Sequence, residues 1–331
     1  MRATLLILAI GLGACGGNYD VMPITADDEC YSLDCPLMAG GELRAYPVFN
    51  SDVTEIMHPV RATISPPELA EVTLDGDVLV IRAAEIPAGT EPSASSPGYG
   101  DIHVELENGQ DFHRTFNVEP RATTAVVPDR NRVPLDLFPE RKLPGERLAM
   151  FDGDALVLIA EHRGALGQRL LGQDGTSWAS DGVQLATLDP AYGEYATDLV
   201  RRVRALGAGT ASVSFGAATL PLDIVPPKTV SRLEVVRRYA QSIEAGTDIH
   251  AYAGSGVTVR LLAYAADGRY VYGGPPFLPI TVVSSDPSVV DVGDREIYPD
   301  RDIWLEGYVR GTATVTLTFD GQSIDVPLTV D

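Results

Sequence analysis

The feature that most constrains the fold is a strictly alternating run that follows Gly311. Apolar side chains stand two, four, six and eight positions after this glycine, with threonines between them. A period of two puts alternate side chains on opposite faces, so the run predicts a β-strand with one buried face. Asp320-Gly321 predicts a hairpin turn, and the alternating run Ile324–Val330 predicts the returning strand.

The same pattern occurs twice more, after Gly209 and after Gly100. Turn signals follow both runs, at Gly216 and at Asn108-Gly109, and each is followed by a further apolar stretch. Serine-led segments upstream also align, at residues 65–72, 180–187 and 285–292. Repeats of about 100 residues with frequent turn signals predict an all-β chain of three tandem sandwiches.

The most complete copy resembles a known family. Its order is a strand, the turn Asp267-Gly268, the segment Ser-Ser-Asp-Pro-Ser-Val-Val and the run after Gly311. This order resembles bacterial Ig-like domains of group 2, which occur in tandem on bacterial surface proteins and in intimin- and invasin-like adhesins. The resemblance is good over Leu261–Val330, fair over Ala155–Val225 and weak over Leu43–Val118, and it implies Ig-like sandwiches and an adhesive or spacing role.

The N-terminus predicts export. The apolar run Ala3–Ala14 is shorter than the roughly 20 residues that span a bilayer, so it predicts a secretory signal. Leu12-Gly13-Ala14-Cys15 resembles the lipobox of bacterial lipoproteins, which implies cleavage before Cys15 and diacylation of its thiol. Two acyl chains would hold the protein on a membrane, and Gly16 in place of Asp implies the outer membrane. An ordinary secretory signal with a chance cysteine is the alternative.

Two further cysteines, Cys30 and Cys35, form an even pair in an exported chain, so we predict a disulfide that closes a small loop. Free thiols and a metal site are the alternatives, although two thiolates alone do not complete a zinc site. The predicted organisation is a signal peptide over residues 1–14, an acidic tether over 15–40, and Ig-like domains over 41–120, 121–227 and 228–331.

The charge balance excludes one class of partner. The formal net charge is −21, and a nucleic-acid-binding protein needs a basic face. No nucleic-acid partner is therefore expected. Arg201, Arg202 and Arg204, with Arg237 and Arg238, form basic clusters. We predict that they lie on a solvated outward face, with contact to an anion or a glycan as the alternative.

The sequence offers no catalytic motif for a hydrolase, zinc protease, nucleotide-binding loop or dinucleotide fold. We therefore predict no enzyme activity, no cofactor and no metal site. His103 is predicted to be solvated on the outward face of its strand, and the other four histidines have no partners at metal-ligand spacing. These are His58, His113, His162 and His250.

Other polar and aromatic groups have two interpretations each. The acidic segments Asp75–Asp77, Asp152–Asp154 and Asp294–Asp302 are predicted to be turns, with calcium binding as the alternative. Tyr264, Tyr270 and Tyr272 are predicted to pack in the core, with a sugar platform as the alternative. Loops that the copies do not share remain candidates for local function: Ala88–Gly100, Arg130–Met150 and Asp294–Asp302.

The functional prediction is a lipid-anchored protein of the cell envelope that acts as a non-catalytic spacer or as an adhesive and binding module. Its partners are the membrane, through Cys15, and an unidentified protein or polysaccharide. The alternative is a carbohydrate-binding or enzyme-accessory lipoprotein.

Overall fold

The computed structural model describes residues 19–23, 33, 35–49, 56–86, 98–128, 148–187, 199–237, 249–272, 280–292 and 302–331. The chain is all-β, as predicted. No helix within these ranges has the length and apolar character needed to cross a membrane.

In the part of the chain that the structure describes, the first sandwich has eight strands in two sheets, in the orders β1-β3-β6-β5 and β2-β8-β7-β4. Its buried side chains form one core cluster between the sheets. The strands are β1 (Tyr19–Pro23), β2 (Leu37–Met38), β3 (Glu42–Phe49), β4 (Pro59–Ser65), β5 (Ala70–Asp75), β6 (Val78–Ala83), β7 (Tyr99–Leu106) and β8 (Asp111–Glu119).

The second sandwich repeats this topology with strands in the orders β9-β11-β15-β14 and β10-β17-β16-β13. A second core cluster lies between them. The strands are β9 (Thr123–Pro128), β10 (Leu148–Phe151), β11 (Ala155–Arg163), β12 (Arg169–Leu170), β13 (Trp178–Asp181), β14 (Val183–Ala186), β15 (Val200–Ala205), β16 (Gly209–Phe215) and β17 (Ala218–Val225).

The third sandwich has the same two orders, β18-β20-β24-β23 and β19-β26-β25-β22, around its own core cluster. The prediction of three equivalent sandwiches is confirmed. The strands are β18 (Val230–Arg237), β19 (Ile249–Ala251), β20 (Ser255–Ala265), β21 (Val271–Tyr272), β22 (Thr281–Ser284), β23 (Val290–Val292), β24 (Asp302–Gly307), β25 (Gly311–Phe319) and β26 (Gln322–Val330).

The serine-led segments have a common structural role, which explains why they align. Each lies where the chain leaves one sheet and enters the other: from β4 to β5, from β13 to β14 and from β22 to β23. The alternating runs after the three glycines form β7, β16 and β25. The apolar face of each of these strands is buried.

The structure differs from the prediction of a tether over residues 15–40. Tyr19–Pro23 pairs with β3 and Leu37–Met38 pairs in parallel with β8, so both segments belong to the first sandwich. Val21 and Leu37 are buried in its core, and β1 and β2 are edge strands of the two sheets. The sequence signal was weak because β1 and β2 are short and lie in an acid-rich stretch.

The described chain divides into two compact units, the second of which holds most of the second sandwich and all of the third. The first unit contains the described residues up to Ala122 together with Gly164–Asp174, and the second contains Thr123–Arg163 and Gly175–Asp331. Gly164–Asp174, predicted to be part of the domain 121–227, groups with the first unit because Leu171 is buried in the first core cluster. Its N–H donates to the Pro36 carbonyl at 2.8 Å, and its own carbonyl accepts from Met38 N–H at 2.7 Å.

Candidate functional site

The predicted lipidation and disulfide residues lie mostly outside the described residues. Cys15 and Cys30 fall there, as does the signal sequence. Cys35 is disulfide-bonded and packs against the first core cluster. Its pairing with Cys30 and the lipidation of Cys15 stay predictions.

The described acidic segments are turns. Asp75-Gly76-Asp77 connects β5 to β6, and Gly76 has φ +61°, a left-handed conformation that glycine adopts without strain. The two carboxylates interact with different side chains: Asp75 forms an ion pair with Arg44, and Asp77 Oδ1 lies 2.9 Å from His58 Nδ1. The hydrogen bond to Asp77 raises the pKa of His58 above its ordinary value.

The Ser-Ser-Asp-Pro-Ser segment of the third sandwich is also turn chemistry. Asp286 Oδ1 accepts from the Ser288 N–H at 3.0 Å and from its hydroxyl at 2.6 Å, and these bonds lower the pKa of Asp286. Ser285 Oγ accepts from the Thr314 N–H at 2.9 Å. The side chains stabilise the passage between the two sheets, so this segment is structural.

The tyrosines are packed rather than displayed as a platform. Tyr264 is buried, and its ring packs edge-on against Tyr270 at 6.0 Å between centroids. Tyr272 is buried in the core of the second sandwich. The prediction of core packing is confirmed for Tyr264 and Tyr272.

The basic residues are divided between exposed and half-buried positions. Arg202 and Arg204 are exposed on β15, as predicted for an outward face, whereas Arg201 is half-buried. Arg237 ends β18, and Arg238 lies outside the described residues.

A junction within the second unit couples the second and third sandwiches. Strand β21 follows β20 of the third sandwich along the chain. It pairs in parallel with β10 of the second sandwich, at Ala149↔Val271 and Met150↔Tyr272. Arg269 donates to the mostly buried carboxylate of Asp223. Paired backbone and a charge-assisted hydrogen bond therefore join these two sandwiches at one place.

The chain that connects β17 to β18 is held by hydrogen bonds as well. Asp320 Oδ2 accepts from the Val230 N–H at 2.9 Å, and Asp320 Oδ1 accepts from the Lys228 N–H. Phe151 at the end of β10 packs edge-on against Phe319 with centroids 5.9 Å apart. The turn Asp320-Gly321 therefore closes a hairpin and also fixes the incoming chain.

An aromatic stripe, Trp304 and Tyr308, lies on β24 and directly after its end. Trp304 is 46% exposed and lies flat over Gly256, where an added Cβ would meet the indole at 2.1 Å. Tyr308, also 46% exposed, donates to Glu306 at 3.2 Å. Glu306 lies between the two aromatic residues along the chain and stands directly opposite Asp291 on β23.

Three titratable side chains meet on the outward face of β7 and β8. His103 Nε2 lies 2.9 Å from Asp111 Oδ2, and the His103 and His113 rings are stacked with centroids 4.2 Å apart. Their ligand atoms all lie within 4.8 Å of one another. Sequence reasoning missed this cluster because the facing of His103 and His113 depends on the hairpin register.

The other histidines do not form such clusters among the described residues. His58 and His250 each face a single aspartate at the surface, Asp77 and Asp331 respectively. His162 is buried in the second sandwich and lies 3.0 Å from Thr124 Oγ1.

Comparison with known proteins identifies no family. No family model matches the chain, and no curated protein matches it in sequence. Among solved structures, domains 4–9 of the surface layer protein SbsC are 13% identical at TM-score 0.29, over 95% of this chain and 47% of theirs. This chain thus spans about half of that fragment.

Two adhesins give similar values. FdeC of Escherichia coli is 14% identical at TM-score 0.25, over 95% of this chain and 96% of its own. InvE of Yersinia pseudotuberculosis is 13% identical at TM-score 0.25, over 56% of each chain.

Proposed function

We propose that this protein is a non-catalytic spacer of the bacterial cell envelope, anchored by lipidated Cys15 and presenting tandem Ig-like sandwiches to a binding partner. The junction at β10 and β21 carries the spacer proposal. A chain that must hold a surface at a distance needs domains that do not fold back on one another. Backbone pairing with a shielded ion pair supplies that restraint between the second and third sandwiches.

The spacer role is tested by a distance measurement across this junction. Nitroxide labels at the exposed positions Thr219→Cys and Thr312→Cys, one in each sandwich, are measured by double electron–electron resonance in a Cys15→Ser chain. We expect one narrow distance distribution, which Arg269→Ala broadens because Asp223 loses its cation. The surface pair Arg61 and Glu105 supplies the control, since Arg61→Ala should leave the distribution unchanged. A broad distribution in the parent chain would contradict the spacer role.

The anchoring part has its own experiment. The lipobox residues Leu12 to Cys15 support it. Cys15→Ala should move the chain from the detergent phase to the aqueous phase in Triton X-114 partitioning. A matched Cys35→Ala variant should stay in the detergent phase. Equal partitioning of Cys15→Ala and the parent chain would eliminate the lipid anchor.

The aromatic stripe on β24 favours the second candidate, a carbohydrate-binding module. Exposed aromatic faces stack on the apolar faces of sugars, and carboxylates accept from sugar hydroxyls. A polysaccharide array should then show saturable binding that Trp304→Ala abolishes and that Val283→Ala, at another exposed apolar site of the same sandwich, leaves intact. Retention of the parent chain by cells or proteins but by no polysaccharide would favour adhesion instead.

A further inference from the structure

The outward face of the first sandwich carries two imidazoles and a carboxylate on one hairpin, which is a ligand set for a metal ion. We propose that His103, Asp111 and His113 form a binding site for a single divalent transition-metal ion, Zn²⁺ or Cu²⁺. Imidazole suits both ions, and a carboxylate oxygen completes a nitrogen–oxygen set of three with an open fourth position. This site goes beyond the spacer function and does not depend on it.

The hairpin register brings the three side chains together. Gln110 O accepts from the Leu106 N–H at 2.8 Å, so these two residues form a hydrogen-bonded pair. Hydrogen-bonded and non-hydrogen-bonded pairs alternate along an antiparallel ladder, which makes His103↔His113 a non-hydrogen-bonded pair with the closer side chains. Asp111 lies two residues before His113 and therefore shares its face.

The distances suit closure around an ion. Ligand atoms about 3.4 Å apart satisfy tetrahedral geometry when each bond is about 2.0–2.1 Å long. His103 Nε2 and Asp111 Oδ2 are already 2.9 Å apart, and all three ligand atoms fall within 4.8 Å. His113 and Asp111 are exposed, so the core does not confine their side chains and rotation can bring their ligand atoms closer to the ion.

The surrounding charge attracts a cation. Glu105 stands directly opposite Asp111 on the same face, and Asp101 is the next outward residue beyond His103 on β7. Arg61 lies 3.3 Å from Glu105 and offsets that carboxylate. The remaining negative field, in a chain with a net charge of −21, concentrates cations near the site.

Two other surface histidine–aspartate pairs lack, among the residues that the structure describes, the third ligand that the site on β7 and β8 has. His58 with Asp77 and His250 with Asp331 each supply two ligand atoms, at 2.9 Å and 3.2 Å. Within the described residues, only the hairpin of β7 and β8 brings a third ligand into such a group. His58, in the same sandwich, therefore provides a matched control.

The test is titration calorimetry of the untagged full-length chain, with Cys15→Ser to remove one thiol ligand, against ZnCl₂ and CuCl₂. We expect one ion per chain. His103→Ala, His113→Ala and Asp111→Asn should each weaken binding at least tenfold, and His58→Ala should leave the affinity unchanged. MgCl₂ and CaCl₂ should not compete, because these harder ions prefer all-oxygen sites.

A spectroscopic measurement keeps the test independent of folding defects. Each variant is first shown by circular dichroism to retain the parent β-signature. Co²⁺ bound by two imidazoles and a carboxylate should then give visible d–d absorption in the parent and in His58→Ala, but not in His103→Ala. The proposal is overturned if Zn²⁺ and Cu²⁺ do not bind, if folded His103→Ala binds as the parent does, or if His58→Ala loses the ion.

Discussion

The hairpin of β7 and β8 in the first sandwich and the hairpin of β25 and β26 in the third have the same inner face and different outer faces. Counted from the leading glycine, Val104 and Val315 occupy the same position, and both are fully buried at 0% exposure. Each lies between the two sheets of its sandwich. The inner face is therefore set by the fold.

The outer faces diverge at the positions that carry the proposed metal site. With both hairpins aligned on their glycines, His103 corresponds to Thr314, which pairs with Pro327. Glu105 and Thr316 are also equivalent, and they pair across the hairpin with Asp111 and Asp325 respectively. Asp111 therefore corresponds to Asp325, which accepts from the Thr316 hydroxyl at 2.7 Å. One aspartate is thus common to both, and the two histidines are particular to the first sandwich. An outward face can carry local chemistry because packing does not constrain it.

The largest expected effect is on the inner face. Leu317→Ala should destabilise the third sandwich by about 2–5 kcal/mol, since the side chain is fully buried and its removal leaves a cavity. Denaturant unfolding followed by Trp304 fluorescence in a Trp178→Phe chain reports on this sandwich. The outward Thr312→Ala should shift stability by less than about 0.5 kcal/mol. Comparable losses from both substitutions would break the distinction between the faces.

The leading glycine gives the next largest effect. A Cβ on Gly100 would lie 2.9 Å from Leu69 Cδ2 and from Phe116 Cζ, and 3.1 Å from the Ser65 carbonyl oxygen. Gly100→Ala should therefore cost about 1–3 kcal/mol through overpacking. Faster amide hydrogen exchange in β7 and β8 measures the loss. The exposed neighbour Asp101 provides the control, because Asp101→Ala should leave amide hydrogen exchange unchanged. Unchanged slow exchange in Gly100→Ala would instead show that the core has room for the added methyl group.

Moving the two histidines into the third sandwich tests whether the outer face alone makes the site, and we expect a smaller change in stability than for the substitutions above. Thr314→His with Pro327→His would place two imidazoles beside Asp325 at the positions of the first sandwich's cluster. Calorimetry should then give two Zn²⁺ per chain in place of one. The same pair of substitutions with Asp325→Asn should bind the second ion more weakly. An unchanged stoichiometry in the folded double variant would mean that register alone does not make the site.

The smallest expected effect concerns His58 in the first sandwich. Asp77 raises the pKa of His58, so the folded state holds the proton more tightly than the unfolded state. The stabilisation is present below the unfolded pKa of about 6.5 and is lost as the pH rises through the higher folded-state pKa. Unfolding midpoints across pH 6 to 9 should show a slight fall that His58→Ala and Asp77→Asn abolish. An identical pH dependence in all three chains would dismiss the pair as a contributor.

The alternating runs predicted the sandwiches because a period of two is a local property of the chain. The residues from Gly311 to Phe319 show by their alternation which face of the strand is buried. Two further copies of this pattern at regular spacing predict repeated domains. The segment 19–23 was missed because β1 becomes a strand by pairing with β3, far along the chain. The junction strand β21 was missed for the same reason, since its partner β10 belongs to the preceding sandwich.

The group of His103, Asp111 and His113 shows most clearly what the sequence alone does not determine. Asn108-Gly109 by itself predicts a two-residue turn, which would pair residue 107 with residue 110. The structure has a three-residue loop instead, in which the Gly109 N–H donates to the Leu106 carbonyl at 2.9 Å and Gly109 has φ +79°. That single added residue shifts the register by one and places His103 opposite His113.

The sequence by itself determined the β-class, the number of sandwiches and which strand faces are buried, because these depend on periodicity along the chain. The tertiary structure alone decided which edges are filled by β1, β2 and β21, and which outward side chains meet across the strands. Those depend on pairings between distant segments and on loop lengths, and a shift of one residue in register changes every neighbour.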